Sequence, residues 1–249
     1  MGISGKLPVL DLDRIAIVLV ETSSAGNLGS VARAMKNMGL HRLILVNCQA
    51  DCNIETRQRA CGADELLEKA IRTSGLVAAL RSFHLTVATS SRPLKWLERN
   101  LLPREMSVEL KKVSPPHDVA IVFGPEKTGL TNEHLQCCDW QVRIPTDPDF
   151  PSLNIAHAVA IVAYELSQGL SESEPKVGRT LAEQGQINAF SQDLENCLKD
   201  IQFLKKQEPR EIMMTLRQML ARAKPDERDI RILRGILRQW KWHARNRQN

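Results

Sequence analysis

The chain reads as an α/β protein, a mostly parallel sheet with covering helices, followed by a small all-helical extension. Apolar runs of strand length alternate with helical patterns through residues 14–169, as βαβ units require. Those runs are continuously apolar rather than alternating, which suits a sheet covered on both faces. After Gly169 the composition changes and only helical patterns remain.

Taken in order, Arg14–Val20 (RIAIVLV), Arg42–Val46 (RLILV), His84–Thr89 (HLTVAT), Val119–Phe123 (VAIVF) and Trp140–Ile144 (WQVRI) are the predicted strands. Lys69–Arg72 is a further short candidate. Gly29–Met38, Ile54–Cys61, Ser74–Arg81 and Asn132–Cys137 are predicted helices. Asn154–Gln168 is the clearest helix, because Ile155, Val159, Val162 and Leu166 share one face. The following LSESEPKVGR is polar and carries Pro175 and Gly178, which marks a linker. Beyond it, Leu181–Lys206 carries one apolar stripe, Pro209 is placed to start a second helix, and Pro225 a third. The expected organisation is an extension over 1–13, an α/β domain over 14–169, a linker over 170–180 and a basic helical extension over 181–249.

Composition narrows the function classes. At 43% apolar and 25% charged residues the chain can build a sizeable core. No run approaches the roughly 18 apolar residues of a membrane span, and MGISGKLPVLDLDR lacks the pattern of a secretory signal. A cytoplasmic protein without a membrane partner is expected. The six cysteines are therefore not a disulfide framework. Cys48, Cys52, Cys61 and His41 lack the paired CxxC spacing of structural zinc, so reduced thiols and no metal are expected. Charge is uneven: residues 1–170 balance 18 basic against 18 acidic side chains, whereas 171–249 hold 16 against 11. The last nineteen residues carry six Arg/Lys and no acid. That stripe is either a site for an anionic polymer or a solvated helix face.

Three glycine- or proline-bearing segments follow predicted strands, where open α/β sheets bind ligands. The first, GNLGSVARAM, contains N-x-G-x-x-x-R as Asn27, Gly29 and Arg33. Its glycines allow a tight turn, Ser24 or Asn27 can cap the helix, and Arg33 is either a ligand contact or an exposed helical arginine. The second, VFGPEKTGLT, offers Gly124 for close backbone approach and Glu126 as a contact or a surface residue. The third, IPTDPDFPSLNIAHAV, is stiffened by Pro145, Pro148 and Pro151 and ends in Ser152-Leu153-Asn154. None fits a dinucleotide fingerprint. Gly124-x4-Gly129 has P-loop length, but Leu130 stands where its lysine is needed.

In this order, N-x-G-x-x-x-R, F-G-x-E-x-x-G-L and S-L-N-x-A-x-A resemble the three motifs of SPOUT-class ribose 2′-O-methyltransferases, over residues 14–169 almost continuously. VETSSAGNLGSVARAMKNMGL, PSLNIAHAVAIVAYEL and the tail segments CLKDIQFL, MLARAK and ILRGIL resemble, within that class, the tRNA enzymes acting on cytidine or uridine 32 of the anticodon loop. The resemblance implies a SPOUT-type sheet whose C-terminal part forms a trefoil knot, a homodimer, S-adenosylmethionine as cofactor and tRNA as partner. It maps the cofactor onto Thr89, Ser90, Ser91, Gly124, Glu126, Ile144, Ser152 and Leu153. Arg33, Asn27, Ser152 and Asn154 become the catalytic candidates. A guanidinium stays protonated and is a poor base, so Arg33 is expected to clamp a phosphate and stabilise oxyanion charge. The basic helices then grip tRNA phosphates; Trp240 and Trp242 either stack on bases or pack against the dimer partner. The cysteine-bearing NCQADCN loop, Pro151 and the N-terminal extension depart from the class pattern. Two alternatives stand beside this reading: a 2′-O-methyltransferase for another tRNA or rRNA nucleotide, and a non-catalytic RNA-binding protein of the same fold.

Overall fold

The computed structural model describes residues 10–92, 99–113, 117–168, 180–204 and 209–246. The chain divides into two compact units, Met1–Gly178 and Arg179–Asn249.

In the first unit a 3-10 turn, Leu12–Arg14, leads into β1 (Ile15–Val20), α1 (Ala25–Asn37), β2 (Arg42–Val46), α2 (Ile54–Ala60), α3 (Asp64–Glu68) and β3 (Ile71–Thr73). There follow α4 (Leu76–Leu80), β4 (Leu85–Thr89), β5 (Asn100–Leu101), α5 (Pro103–Lys112), β6 (Val119–Phe123), α6 (Asn132–Gln136), β7 (Trp140–Val142) and α7 (Ile155–Ser167). The strands form one parallel sheet in the order β3-β2-β1-β6-β4-β7-β5. Pleating sends alternate side chains to opposite faces. Ile15, Ile17 and Leu19 of β1 join a core with α1, α5 and α7, while Ala16, Val18 and Val20 join a second with α4 and Leu135 of α6. Both faces are covered, which explains the unbroken apolar runs.

The expected strands are present, with β3 shifted to Ile71–Thr73 and β7 ending at Val142. Helix α5 was not among the predicted elements; its buried apolar stripe is only Met106 and Leu110 behind a first-turn proline. The first helix begins at Ala25, one turn before the predicted Gly29. Ser24 Oγ accepts from Asn27 N–H at 3.2 Å, so Gly26 and Gly29 lie inside α1 rather than in a turn. Gly29 is needed for packing: a Cβ there would collide with the Thr56 carbonyl and stand 2.9 Å from Arg59 Cβ of α2. At the N-terminus, Leu10 and Leu12 are buried in the main core, so the chain is part of the packed unit from Leu10 onward.

The second unit contains α8 (Gln184–Asp200), α9 (Pro209–Ala223) and α10 (Glu227–Asn246). Ile187, Phe190 and Cys197 of α8 pack with Ile230 and Leu237 of α10, joined by Leu220 of α9. An antiparallel bridge between Leu181 and Asp226 ties the start of α8 to the start of α10. Asp226 caps α10, its Oδ1 accepting from Asp229 N–H at 2.7 Å. The expected linker falls on residues 170–180, of which only Thr180 is described. No helix among the described residues is long and apolar enough to cross a membrane.

Candidate active site

The C-terminal ends of β4, β6 and β7 open onto a cavity of about 310 Å³. Thr89, Ser90, Ser91, Gly124, Glu126, Ile144, Ser152 and Leu153, the eight residues expected to hold a cofactor, all line it. Its shape is fixed by polar bonds between loops. Thr89 Oγ1 donates to the Val122 carbonyl at 3.0 Å, tying the end of β4 to β6. Gln141 of β7, fully buried, donates through Nε2 to the carbonyls of Arg92 (2.6 Å) and Ser90 (3.3 Å). Arg92 in turn donates to the Leu130 carbonyl at 3.1 Å. Residues 90–92 are thereby held between β7 and the loop after β6.

That second loop has no slack. A Cβ at Gly124 would collide with Leu130 N and stand 2.5 Å from Gly129 C. Gly129 has φ +65°, and its N–H donates to the Pro125 carbonyl at 2.8 Å. The glycine needed for the left-handed position is thus Gly129, while Gly124 is enforced by its own loop. Phe123, Val142 and Ile155 are buried and, with Ile144 and Leu153, supply apolar walls. Apolar walls with convergent hydroxyl and peptide groups suit a ligand with a flat apolar body and a polar edge.

Beside the cavity lies an open groove of about 660 Å³, lined among others by Asn27, Ser30, Arg33, Arg59, Asn154 and His157. A directed hydrogen-bond chain links the two. Asn154 Oδ1 accepts from Ala156 N–H at 2.8 Å to cap α7, which orients its amide. Its Nδ2 then donates to Asn27 Oδ1 at 2.8 Å, and Asn27 Nδ2 donates to Glu126 Oε1 at 3.0 Å. Glu126 belongs to the cavity wall, so the carboxylate on one side is coupled to two amides on the other.

Of the four catalytic candidates, Asn27 and Asn154 therefore touch, and Arg33 shares their groove. Ser152 lines the cavity instead. Arg33 is exposed, and its Nη1 donates to Cys61 Sγ at 3.3 Å. Cys52 lies 3.5 Å from Arg72 Nη2, and Cys48 donates to the Thr22 carbonyl at 3.4 Å. Burial pushes the Cys48 thiol up. These three thiols have separate partners, and among the described residues no group of three His, Cys, Asp or Glu side chains is arranged to hold a metal.

Gln141, Arg92, Arg59 and His157 were not anticipated as site residues. A glutamine inside an apolar strand was a visible signal for Gln141. Arg59 reaches the groove only because α2 crosses α1 at Gly29, which no local pattern reveals.

Known proteins share this architecture. A profile of the SpoU rRNA Methylase family matches residues 14–164. One of the tRNA methyltransferase TrmJ C-terminal domain matches residues 185–249. A tRNA (cytidine/uridine-2'-O-)-methyltransferase TrmJ from Pectobacterium atrosepticum is 41% identical over 236 residues, covering 91% of this chain and 96% of that protein. A tRNA (cytidine/uridine/adenosine-2'-O-)-methyltransferase TrmJ from Pseudomonas aeruginosa is 38% identical over 247 residues, covering 94% and 96%. The crystal structure of TrmJ from Z. mobilis ZM4 superimposes with a TM-score of 0.79 at 30% identity, covering 91% of this chain and 98% of that one. With both segments matched and relatives aligned along nearly its whole length, the chain belongs to the SpoU methylase family, in its TrmJ branch, and is a methyltransferase.

Proposed function

We propose that the protein is an S-adenosylmethionine-dependent tRNA ribose 2′-O-methyltransferase, working in the cytoplasm as a homodimer on cytidine or uridine 32 of the anticodon loop. The observation that carries this reading is the coupling of a ligand-sized cavity to a polar groove through Glu126, Asn27 and Asn154. The substrate class is supported by relatives named as tRNA 2′-O-methyltransferases, and the nucleotide by the likeness of the motif and tail segments. Exposed Ile161 and Tyr164 on α7 support the dimer. The insertion of β7, last in sequence, between β4 and β5 supports a threaded C-terminal path.

The cavity fits the cofactor. Thr89, Ser90 and Ser91 supply hydroxyl and peptide groups for an adenosine, and Ile144 and Leu153 supply apolar walls. Glu126 sets a carboxylate beside a positively charged ligand. When bound, S-adenosylmethionine supplies a methyl group on a positively charged sulfur, already activated for uptake by a ribose 2′-oxygen. The rest is positioning. Asn27 and Asn154, locked to each other, orient the target nucleotide at the mouth of the groove, and Ser152 faces the cofactor side. Arg33 holds the target phosphate and balances negative charge growing on the 2′-oxygen, whose proton leaves to water. To reach that phosphate the guanidinium releases Cys61, an exposed contact of small strength.

Radiolabelled S-adenosylmethionine, incubated with the protein and unmodified tRNA, should place label on the 2′-oxygen of nucleotide 32. Label on another nucleotide would retain the chemistry and overturn the site. Absence of both transfer and cofactor binding would favour the non-catalytic alternative.

A further inference from the structure

Helix α10 carries a glycine that nothing among the described residues explains. Gly235 sits in the interior of a 20-residue helix, where glycine is less favourable than alanine. A Cβ added there would meet no atom within 4 Å, unlike those at Gly29 and Gly124, which would collide with backbone. Packing does not demand Gly235, and its conformation is helical. What its missing side chain leaves is the floor of an open groove walled by Arg238, Gln239 and Trp242.

The walls point to a ligand class. Trp242 is 57% exposed, with the His243 ring 4.9 Å away and nearly perpendicular to it. Arg231 and Arg234, about two turns and one turn before Arg238, are spoken for by Glu227 (3.1 Å) and Asp193 (2.9 Å) respectively. Arg238 has no ion pair among the described residues. The surrounding stretch from Arg231 to the end of the chain contains no acid. A free guanidinium one turn from an exposed indole, over a floor with no side chain, matches an unstacked nucleotide. The base lies on the ring, the phosphate on the guanidinium, and Gln239 offers an amide to a base edge.

The two tryptophans therefore separate. Trp240 follows Ile232 and Ile236 at four-residue spacing, all three exposed along one apolar stripe. Trp242 stands on a different side of the helix, with Gly235 and Arg238. We propose that the Gly235–Arg238–Gln239–Trp242 groove is a site for a single-stranded nucleotide of the RNA substrate, remote in role from methyl transfer. This rests on the tRNA reading above and adds the second unit's point of contact.

The test measures binding of the full-length protein to an unmodified tRNA transcript, with thermal unfolding, sedimentation and S-adenosylmethionine affinity for each variant. Trp242→Ala should weaken tRNA binding about 5- to 100-fold, with melting temperature and cofactor affinity unchanged, and Trp242→Phe should recover much of the loss. Arg238→Gln should lower the salt dependence of binding by about one counterion. Gly235→Leu fills the groove with a better helix former, so it should raise or preserve the melting temperature while weakening tRNA binding. Trp240→Ala should leave tRNA affinity near that of the unaltered protein.

Unchanged tRNA affinity in both Trp242→Ala and Gly235→Leu would overturn the site while leaving the enzyme's function intact. A fall in sedimentation coefficient accompanying the affinity loss would assign the groove to a protein partner and also overturn it. An unaltered protein that neither binds nor methylates tRNA would remove the proposed function and this site together.

Discussion

The cavity at the strand ends and the groove on α10 are built by opposite means. In the cavity, a buried glutamine, a glycine without room for a methyl group and loop carbonyls fix the lining in place. On α10, exposed side chains of one helix form the walls, and a missing side chain makes the space. Methyl transfer needs reacting atoms aligned to a fraction of an ångström, so its scaffold has to be over-determined. Gripping a polyanion needs charge and a stacking surface, which tolerate movement. Changes in or beside the cavity should therefore act steeply and with little sensitivity to salt, and changes on α10 should act gradually and with strong sensitivity.

Arg33→Ala should show the steepest effect. Loss of one transition-state donor lowers turnover about 100- to 1,000-fold, while affinity for S-adenosylmethionine stays near its original value because Arg33 does not line the cavity. Lysine should restore little, since it lacks the planar fork. Full turnover in Arg33→Ala would remove it from the chemistry and leave the Asn27–Asn154 pair as the functional core of the groove.

Gly124→Ala comes next. The added methyl group meets backbone at Leu130 and Gly129 rather than a side chain able to swing aside. Overpacking of that kind costs about 1–3 kcal/mol, and the loop should shift away from its present line. Calorimetric titration should find a weakened cofactor with a modest fall in melting temperature. Unchanged binding would mean that the 124–130 loop can move without consequence. Gln141→Leu should behave alike but more mildly. It leaves the Ser90 and Arg92 carbonyls without their buried donor, at roughly 1–3 kcal/mol, and should loosen the 90–92 side of the cavity.

These residues also show what the sequence could reveal. The parallel sheet was legible because its central strands, β1 and β6, are buried on both faces, and apolar runs such as RIAIVLV leave little else to read. Gly124 and Ser152, which line the cavity, stand in ordered motifs that end a strand or open a helix, whereas Thr89 was reached only through what the family resemblance implies. For Gly29 a turn is the local explanation, whereas the tertiary one is the crossing of α1 over α2. Gln141 and Arg92 act by reaching across from one loop or strand to another, at separations that no periodicity encodes. On α10, sequence placed both tryptophans on one basic helix; only their faces and exposures told them apart.

Salt sharpens the comparison between the two regions. tRNA affinity should fall steeply as salt is raised, because each phosphate released by a Lys or Arg takes up counterions. The affinity for S-adenosylmethionine should change little across the same range, since its cavity is lined largely by peptide, hydroxyl and apolar groups. Equal slopes for both ligands would show that the cofactor site is itself electrostatic, and the division of labour would fail.

The smallest effect belongs to Glu109, which braces the cavity's scaffold from outside. Its carboxylate receives Lys112 at 2.6 Å and Arg99 at 3.0 Å, and the Arg99 guanidinium lies 5.2 Å from the ring centre of Trp140, beside Gln141 on β7. The Lys112 hydrogen bond, more than the contribution of Arg99, holds the Glu109 carboxyl below its ordinary value. A carboxyl depressed in the folded state stabilises it above the unfolded pKa, and that stability is lost as pH falls through the folded value. Solvent reaches the pair, so the contribution at neutral pH is no more than about 1 kcal/mol. Glu109→Gln should therefore lower the melting temperature slightly at pH 7, and the difference should vanish in acid below the carboxylate range. A difference that persists there would assign Glu109 to packing against α5's neighbours rather than to charge, and the brace on β7 would then be steric.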